Sequence, residues 1–276
     1  MEKFYINYKS LPFLKTSKTA AFSNRLNWRC EILLTRNQDA IKDKKILDLA
    51  SHDGRFSYAC LKLGASHVTG IEDRSHLVKN ARENLINLGC EQKNFTFFQD
   101  DVFNYLPKVK SGEFDTILCF GFFYHTIRQV ELLKEIKRIQ PRYFILDTMI
   151  EKDLIEKDLS KRNILFRPIA LIPTIKLKHF VKIDSTTIKK LKNVVSTTKE
   201  NKACLVFKDE DHTIEGHTID RIDLIAWPTQ SFIELFFKKQ GFNFKQLYWD
   251  KQEINNWDYI TDYKNGKRIS YIAQLY

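Results

Sequence analysis

The stretch Lys45-Ile46-Leu47-Asp48-Leu49-Ala50-Ser51-His52-Asp53-Gly54 decides the fold. Its first six residues make an apolar run of strand length broken by Asp48, and the Ser-His-Asp-Gly after it is turn chemistry. A helix then reads from about Arg55 to Leu63 and stops at Gly64, a residue suited to the left-handed backbone that closes helices. The alternation continues outward. His67 to Ile71 reads as a second strand, Arg74 to Leu88 as a helix with Leu77, Val78, Ala81, Leu85 and Leu88 on one stripe, and Asn94 to Phe98 as a third strand. Phe114 to Phe120 is a fourth strand, apolar as strands covered on both faces are, and a helix from about Gln129 to Ile139 leads to a fifth strand at Tyr143 to Asp147. Such alternation implies a parallel sheet with helices on both faces.

Beyond an interruption, Thr229 to Gln240 reads as a last long helix, and Phe244 to Trp249 and Arg268 to Leu275 as two more strands. The Lys264-Asn265-Gly266-Lys267 turn suggests that these two form a hairpin. The expected fold class is therefore α/β, a doubly wound, seven-stranded, mostly parallel Rossmann-like sheet. Between strand five and the last helix sits a β-rich insertion with strand-like runs at Lys176 to Ile183, Ala203 to Lys208 and Thr218 to Ala226. The chain divides on this reading into an N-terminal helical cap (1–43), a core (44–149 and 228–276) and a substrate-recognition insertion (150–227).

Composition narrows the function classes. The 276 residues are 43% hydrophobic and 13% aromatic, which excludes a disordered chain, and only nine Gly and six Pro leave no collagenous or linker-like tract. The five cysteines are odd in number and never spaced Cys-x-x-Cys, so neither a disulfide framework nor a cysteine zinc site is expected. Met1 to Phe13 lacks the apolar stretch of a signal peptide, and no later run approaches the ~20 apolar residues that span a bilayer. A cytoplasmic protein without a membrane partner is the expectation. Lys and Arg outnumber Asp and Glu by 45 to 34, a net charge of +11, and the excess is local: residues 151–208 carry fourteen against six, and residues 209–228 one against six. A basic surface suits nucleic acid or acidic small molecules, and a lysine-rich composition with no partner gives the same number.

In an open α/β sheet, ligands bind beyond the carboxyl ends of the strands. After strand one come Asp48 and the turn to Gly54, a pocket for a nucleoside with a cationic or zwitterionic tail. After strand two comes Glu72, a carboxylate that can accept both hydroxyls of a ribose. After strand three comes Gln99-Asp100-Asp101-Val102, with an acid for an exocyclic amine. After strand four comes Cys119-Phe120-Gly121-Phe122-Phe123-Tyr124-His125, aromatic and ending in a titratable imidazole.

Together these features resemble the class I S-adenosylmethionine-dependent methyltransferases. Phe120 to Thr126 and the later Pro-Thr-x-x-x-Ile-Glu-x-x-Phe-x-x-x-Gly-Phe stretch are most similar to the branch holding the tRNA wobble-uridine carboxymethyltransferases. The resemblance implies S-adenosylmethionine as cofactor, with Asp48 facing its amino group or a bound water, Ala50, His52 and Phe120 beside it, Gly54 admitting it to the backbone, Glu72 on the ribose and Asp101 on the adenine amine. It implies a helix before strand one that covers the cofactor; from the charge excess of the two flanking segments, Arg29 and Trp28 there and Arg167 of the insertion are the expected contacts of an anionic acceptor. His125, with Tyr124, is the candidate for acid-base work. One departure stands out: Ala50 and His52 occupy positions where the family's loop carries glycine.

Each residue has a plainer reading as well. Asp48 would also serve as a helix cap, Glu72 as a partner of Arg74, and His125 as a donor to a nearby carbonyl. Asp209-Glu210-Asp211-His212, with Glu215 and His217, has the chemistry of a divalent metal site but reads better as an exposed acidic turn, so no metal is expected. The leading expectation is an enzyme that methylates a small, anionic acceptor. An RNA-modifying transferase, drawing on the basic insertion, and a non-catalytic scaffold that has lost the cofactor are the alternatives.

Overall fold

The structure, a computed structural model, describes residues 4–17, 21–151, 203–214, 217 and 223–275. In chain order these form helix α1 (Ser23–Leu33), strand β1 (Lys45–Leu49), α2 (Arg55–Lys62), β2 (His67–Glu72), α3 (Ser75–Asn87), β3 (Phe95–Gln99), a short α4 (Val102–Tyr105), β4 (Thr116–Phe120), α5 (Gln129–Ile139) and β5 (Tyr143–Met149). There follow β6 (Leu205–Asp209), β7 (Leu224–Pro228), α6 (Gln230–Lys239), β8 (Asn243–Leu247), α7 (Thr261–Lys264) and β9 (Arg268–Gln274).

Seven strands pair in the order β3-β2-β1-β4-β5-β9-β8. The first five are parallel, and β9 lies antiparallel between β5 and β8. Alternation along the parallel strands sends Ile46, Val68, Leu118 and Ile145 into one core with α1, α2 and α3, and Leu47, Leu49, Ile117 and Leu146 into a second core with α4, α5 and α6. Asp48 shares a face with Ile46 and so looks toward α2. The chain leaves β1 in one direction for β2 and β3 and returns on the other side for β4, and a crevice opens beyond the strand ends at that reversal.

One expectation needs correction. The last two strands are antiparallel neighbours, but twenty residues and α7 separate them, and the Lys264-Lys267 turn closes α7: the Gly266 N–H bonds the Tyr263 carbonyl, with φ +63°. Among the described residues of the insertion, β6 and β7 pair as an antiparallel hairpin apart from the main sheet, close to the expected runs Ala203 to Lys208 and Thr218 to Ala226. The strand-like run Lys176 to Ile183 lies outside the described residues. The hairpin is moored at its base, where the Glu151 N–H bonds the Pro228 carbonyl and Lys208 pairs with Glu151 at 2.7 Å.

Candidate active site

The crevice is lined by the β1–α2 loop, the ends of β2, β3 and β4, one side of α1, Arg268 of β9 and His217 beyond the hairpin's first strand. Its loop is unusual. Ala50 (φ +52°), His52 (φ +55°) and Gly54 (φ +81°) all adopt the left-handed backbone, which costs a residue with a Cβ about 1–2 kcal/mol. Side chains hold the shape instead of glycine. The His52 N–H donates to Glu72 Oε2 at 3.1 Å, its ring nitrogens lie 3.2 Å from Arg55 Nη2 and 3.3 Å from Ser17 Oγ, and the Ser51 N–H bonds the Ile71 carbonyl at 2.9 Å. Below the loop, Asp53 is fully buried and gripped by Arg55 through Nε (2.7 Å) and Nη2 (2.9 Å). Burial would push its carboxyl up, but Arg55 and His52 outweigh that and hold it well below the usual carboxylate range.

Gly54, expected to admit the cofactor to the backbone, is not among the residues that line the crevice. A Cβ there would meet Leu85, Ala81 and Phe97 at 3.0–3.2 Å, so the glycine lets α3 pack against the loop. Sequence reasoning missed Gly70, where a Cβ would sit 2.4 Å from the Phe97 ring and 2.7 Å from Ser51 Oγ; the bare strand makes room for the loop.

Asp48, at the end of β1, is 2% exposed and accepts the Ser57 hydroxyl at 2.7 Å. Burial pushes its carboxyl up to about 7; Glu72 adds to that, while Ser57 and Arg29 oppose it. Glu72, also buried, accepts the backbone N–H groups of His52 and Arg74, each at 3.1 Å, and ties the loop to the start of α3. At the end of β3 it is Asp100, paired with Lys108 at 2.9 Å, that lines the crevice. Asp101, expected there, instead caps α4, its Oδ1 accepting the N–H groups of Phe103 (2.7 Å) and Asn104 (3.2 Å).

Arg29 enters the crevice from α1, as expected, with its guanidinium 4.7 Å from the Phe56 ring centre and 5.9 Å from that of Phe120, and donates to Asp147 Oδ2 at 2.7 Å. Trp28 does not. One position along the helix, it packs with Ile32, Ile254, Ile260 and Tyr263 and meets Phe4 edge-on, away from the crevice. Arg167 lies outside the described residues. Asp147 is fully buried and also accepts Arg268 (3.3 Å), Tyr263 (3.0 Å) and Ser270 (2.8 Å).

At the far end, the Tyr124 hydroxyl accepts Arg268 Nη2 at 3.0 Å, and its ring lies 4.0 Å from that of His125. His125 does not simply bond a carbonyl. Its Nδ1 lies 2.6 Å from Glu210 Oε2, just past β6, and its ring lies 6.5 Å from that of His217. Burial pushes its pKa below the ordinary histidine value, against the pull of Glu210. Gln129 locks this end, donating to the carbonyls of Phe123 (3.1 Å) and Ala226 (2.6 Å). The acidic stretch thus splits: Asp211 and His212 stay at the surface, His212 bonding Asp223 at 2.8 Å, whereas Glu210 turns inward.

A nucleoside with a cationic tail fits these walls. Ser51 Oγ is buried in the lining with no hydrogen-bond partner among the described residues, an orphan of the kind a polar ligand satisfies. It lines the crevice together with the Asp48 and Glu72 carboxyls.

Comparisons with known proteins agree. Residues 41–165 match the model of a methyltransferase domain family. Over 87 residues the chain is 34% identical to a Methanocaldococcus jannaschii protein named "putative protein N5-glutamine methyltransferase", a match covering 32% of this chain and 41% of that one, so the chain spans under half the length of this relative. Among solved structures, the N-terminal domain of EvdMO1, in the presence of SAH and D-fucose, superposes with a TM-score of 0.54 at 14% identity over 88% of this chain and 81% of that one. An S-adenosylmethionine-dependent methyltransferase from Mesorhizobium loti gives 0.51 at 14% identity, covering 86% and 93%. At such identities these two speak for the fold alone. Residues 41–165 thus resemble a methyltransferase domain, and the fold around them is one that S-adenosylmethionine-dependent methyltransferases share.

Proposed function

We propose that the protein transfers the methyl group of S-adenosylmethionine to a small acceptor that carries negative charge. The observation behind the cofactor half is the set Asp48, Ser51 and Glu72 around the β1–α2 loop, with Asp100 and Phe120 completing the wall. Asp48 would take the amino group, Glu72 the ribose and Asp100 the base. The cofactor, when bound, supplies a methyl group on a sulfonium, already activated, so the protein's work is alignment and the exclusion of water. Phe56, Phe120 and Phe122 keep that part of the crevice dry.

The acceptor half rests on charge. Where α1, β5, α7 and β9 meet, Arg25, Arg29 and Arg268 form ion pairs with Asp147 and Asp262 among the described residues, three guanidiniums against two carboxylates. Arg29 Nε is buried there with no hydrogen-bond partner among the described residues. An acceptor with a carboxylate or phosphate would balance the excess, as guanidinium forks do.

The test has two steps. Calorimetry with S-adenosylmethionine and its demethylated product must show binding; none of either at millimolar concentration would sink the enzyme and leave the scaffold reading. Methyl-labelled cofactor is then offered with a metabolite extract or with total RNA from the host. Label in the anionic metabolite fraction is expected, and label in RNA alone would favour the tRNA-modifying reading.

A further inference from the structure

We infer that Glu210 is a positioning residue that holds His125 as a general base, and that the acceptor atom is therefore a hydroxyl oxygen. The inference rests on the methyltransferase reading above and deepens it.

The geometry is that of a base and its orienting acid. Glu210 Oε2 stands 2.6 Å from His125 Nδ1, with the two side chains 10% and 14% exposed. A carboxylate there can only accept, so Nδ1 carries the proton and Nε2 keeps its lone pair. Nε2 has no hydrogen-bond partner among the described residues, and His125 lines the crevice. The other polar groups facing the ring are Tyr124, Arg268 of β9 and His217; the two cationic or ionisable ones lower its proton affinity, as burial does. His125 is thus neutral near pH 7, as a base must be.

The hairpin is fixed across the crevice to make this contact. Its base is tied to β5 through Glu151, the Ala226 N–H bonds the Thr126 carbonyl at 3.3 Å, and Arg74, next to Glu72, donates to the carbonyl of His217. An element spanning from the nucleoside end to His125 brings one carboxylate to one imidazole nitrogen.

That arrangement selects the acceptor. A carboxylate, a thiolate or an unprotonated amine attacks without losing a proton beforehand, whereas a hydroxyl must lose one as its oxygen becomes a nucleophile; an ammonium would need the same base, but the guanidinium excess beside the crevice disfavours a cationic acceptor. In the step inferred, an oxygen lone pair forms the new C–O bond as the C–S bond breaks and its electrons stay on sulfur. The O–H proton passes to His125 Nε2, and Glu210 balances the imidazolium charge. The product is a methyl ether.

The first test needs no acceptor. Nitrogen-15 NMR of the full chain should show His125 as the Nδ1–H tautomer in the neutral form. In Glu210→Gln its titration midpoint should fall by about one pH unit or more, since an opposite charge has been removed. Glu210→Asp should keep most of the wild-type midpoint, and thermal melts of both variants verify that they fold. An Nε2–H tautomer, or a midpoint unmoved in Glu210→Gln, would overturn the pairing.

The second test uses methyl-labelled S-adenosylmethionine and the host metabolite extract. Label should survive mild alkali, as ethers do and esters do not, and Glu210→Gln should lose about a hundredfold in turnover while binding S-adenosylmethionine as tightly as wild type. Label released by alkali, or found on nitrogen or sulfur, overturns the hydroxyl assignment with the methyltransferase reading intact. Absence of cofactor binding in the calorimeter instead removes that reading and the acceptor inference together.

Discussion

Asp48 gives the most direct physical handle on the cofactor site. Its carboxyl is raised to about 7 because it is buried and near Glu72, so in the open crevice at pH 7 it is about half protonated. An ammonium group docking against it favours the ionised form and draws the pKa back toward the ordinary carboxylate value. Binding of S-adenosylmethionine must then expel protons: about nine-tenths of one at pH 6, about half at pH 7 and about a tenth at pH 8, from the midpoint near 7. Affinity should accordingly weaken by about tenfold per pH unit below pH 6. The assay is titration calorimetry in two buffers of different ionisation enthalpy, where the slope of observed heat against buffer enthalpy counts the protons released. Asp48→Asn should abolish the pH 6 signal. The sign for the free protein is opposite: a carboxyl raised on folding makes stability fall as pH rises from about 4 to about 7, so Asp48→Asn should melt higher than wild type at pH 8. A binding enthalpy independent of buffer at pH 6, with wild-type affinity in Asp48→Asn, would refute the placement of the amino group.

Glu72→Gln should weaken S-adenosylmethionine binding by about 1.5–3 kcal/mol, roughly 10–150-fold in Kd. Because Glu72 also accepts the N–H groups of His52 and Arg74, it should lower the melting temperature of the free protein too, and unchanged calorimetry and melting would show that neither role is real. Ala50→Gly should be neutral or stabilising in chemical denaturation, against the usual loss of about 0.5–1 kcal/mol for this change, because position 50 has φ +52°; a loss above that range would contradict the strained backbone. Gly70→Ala should cost about 1–3 kcal/mol through its clash with Phe97. Wild-type stability in that variant would show that the strand tolerates a side chain there. Turnover should stay flat across neutral pH and fall only below the ordinary histidine value, because the pKa of His125 is depressed by burial; a midpoint above 7 would contradict this.

What could be read from the sequence was whatever a strand end dictates. Asp48 and Glu72 sit at positions where a parallel strand stops, and a parallel sheet brings all such positions to one edge, so their meeting follows from the strand pattern. Residues whose placement depends on a helix's rotation were less legible. Trp28 and Arg29 differ by about 100° around α1, and α1 is buried on nearly all sides, which leaves no polar face to tell which residue looks into the crevice. Asp100 and Asp101 were confused by one residue, because α4, only four residues long, takes Asp101 for its cap. Glu210 was beyond reach. It lies 85 residues from His125 and meets it through the docking of a hairpin whose own sequence looks like a surface turn.

The carboxylate of Asp147 also defines how far the folding unit extends. Residues 41–165 are the part of the chain that matches the family model, but among the described residues every side chain on Asp147, from Arg29 to Tyr263, Arg268 and Ser270, comes from outside that span, as does β9, which covers the edge of β5. A fragment cut at those limits would lose all of these partners and leave the edge of β5, Asp147 included, uncovered. The borders of the family match and of the packed unit therefore differ in this molecule: the flanks supply the ion-pair partners and the strand that complete the interior.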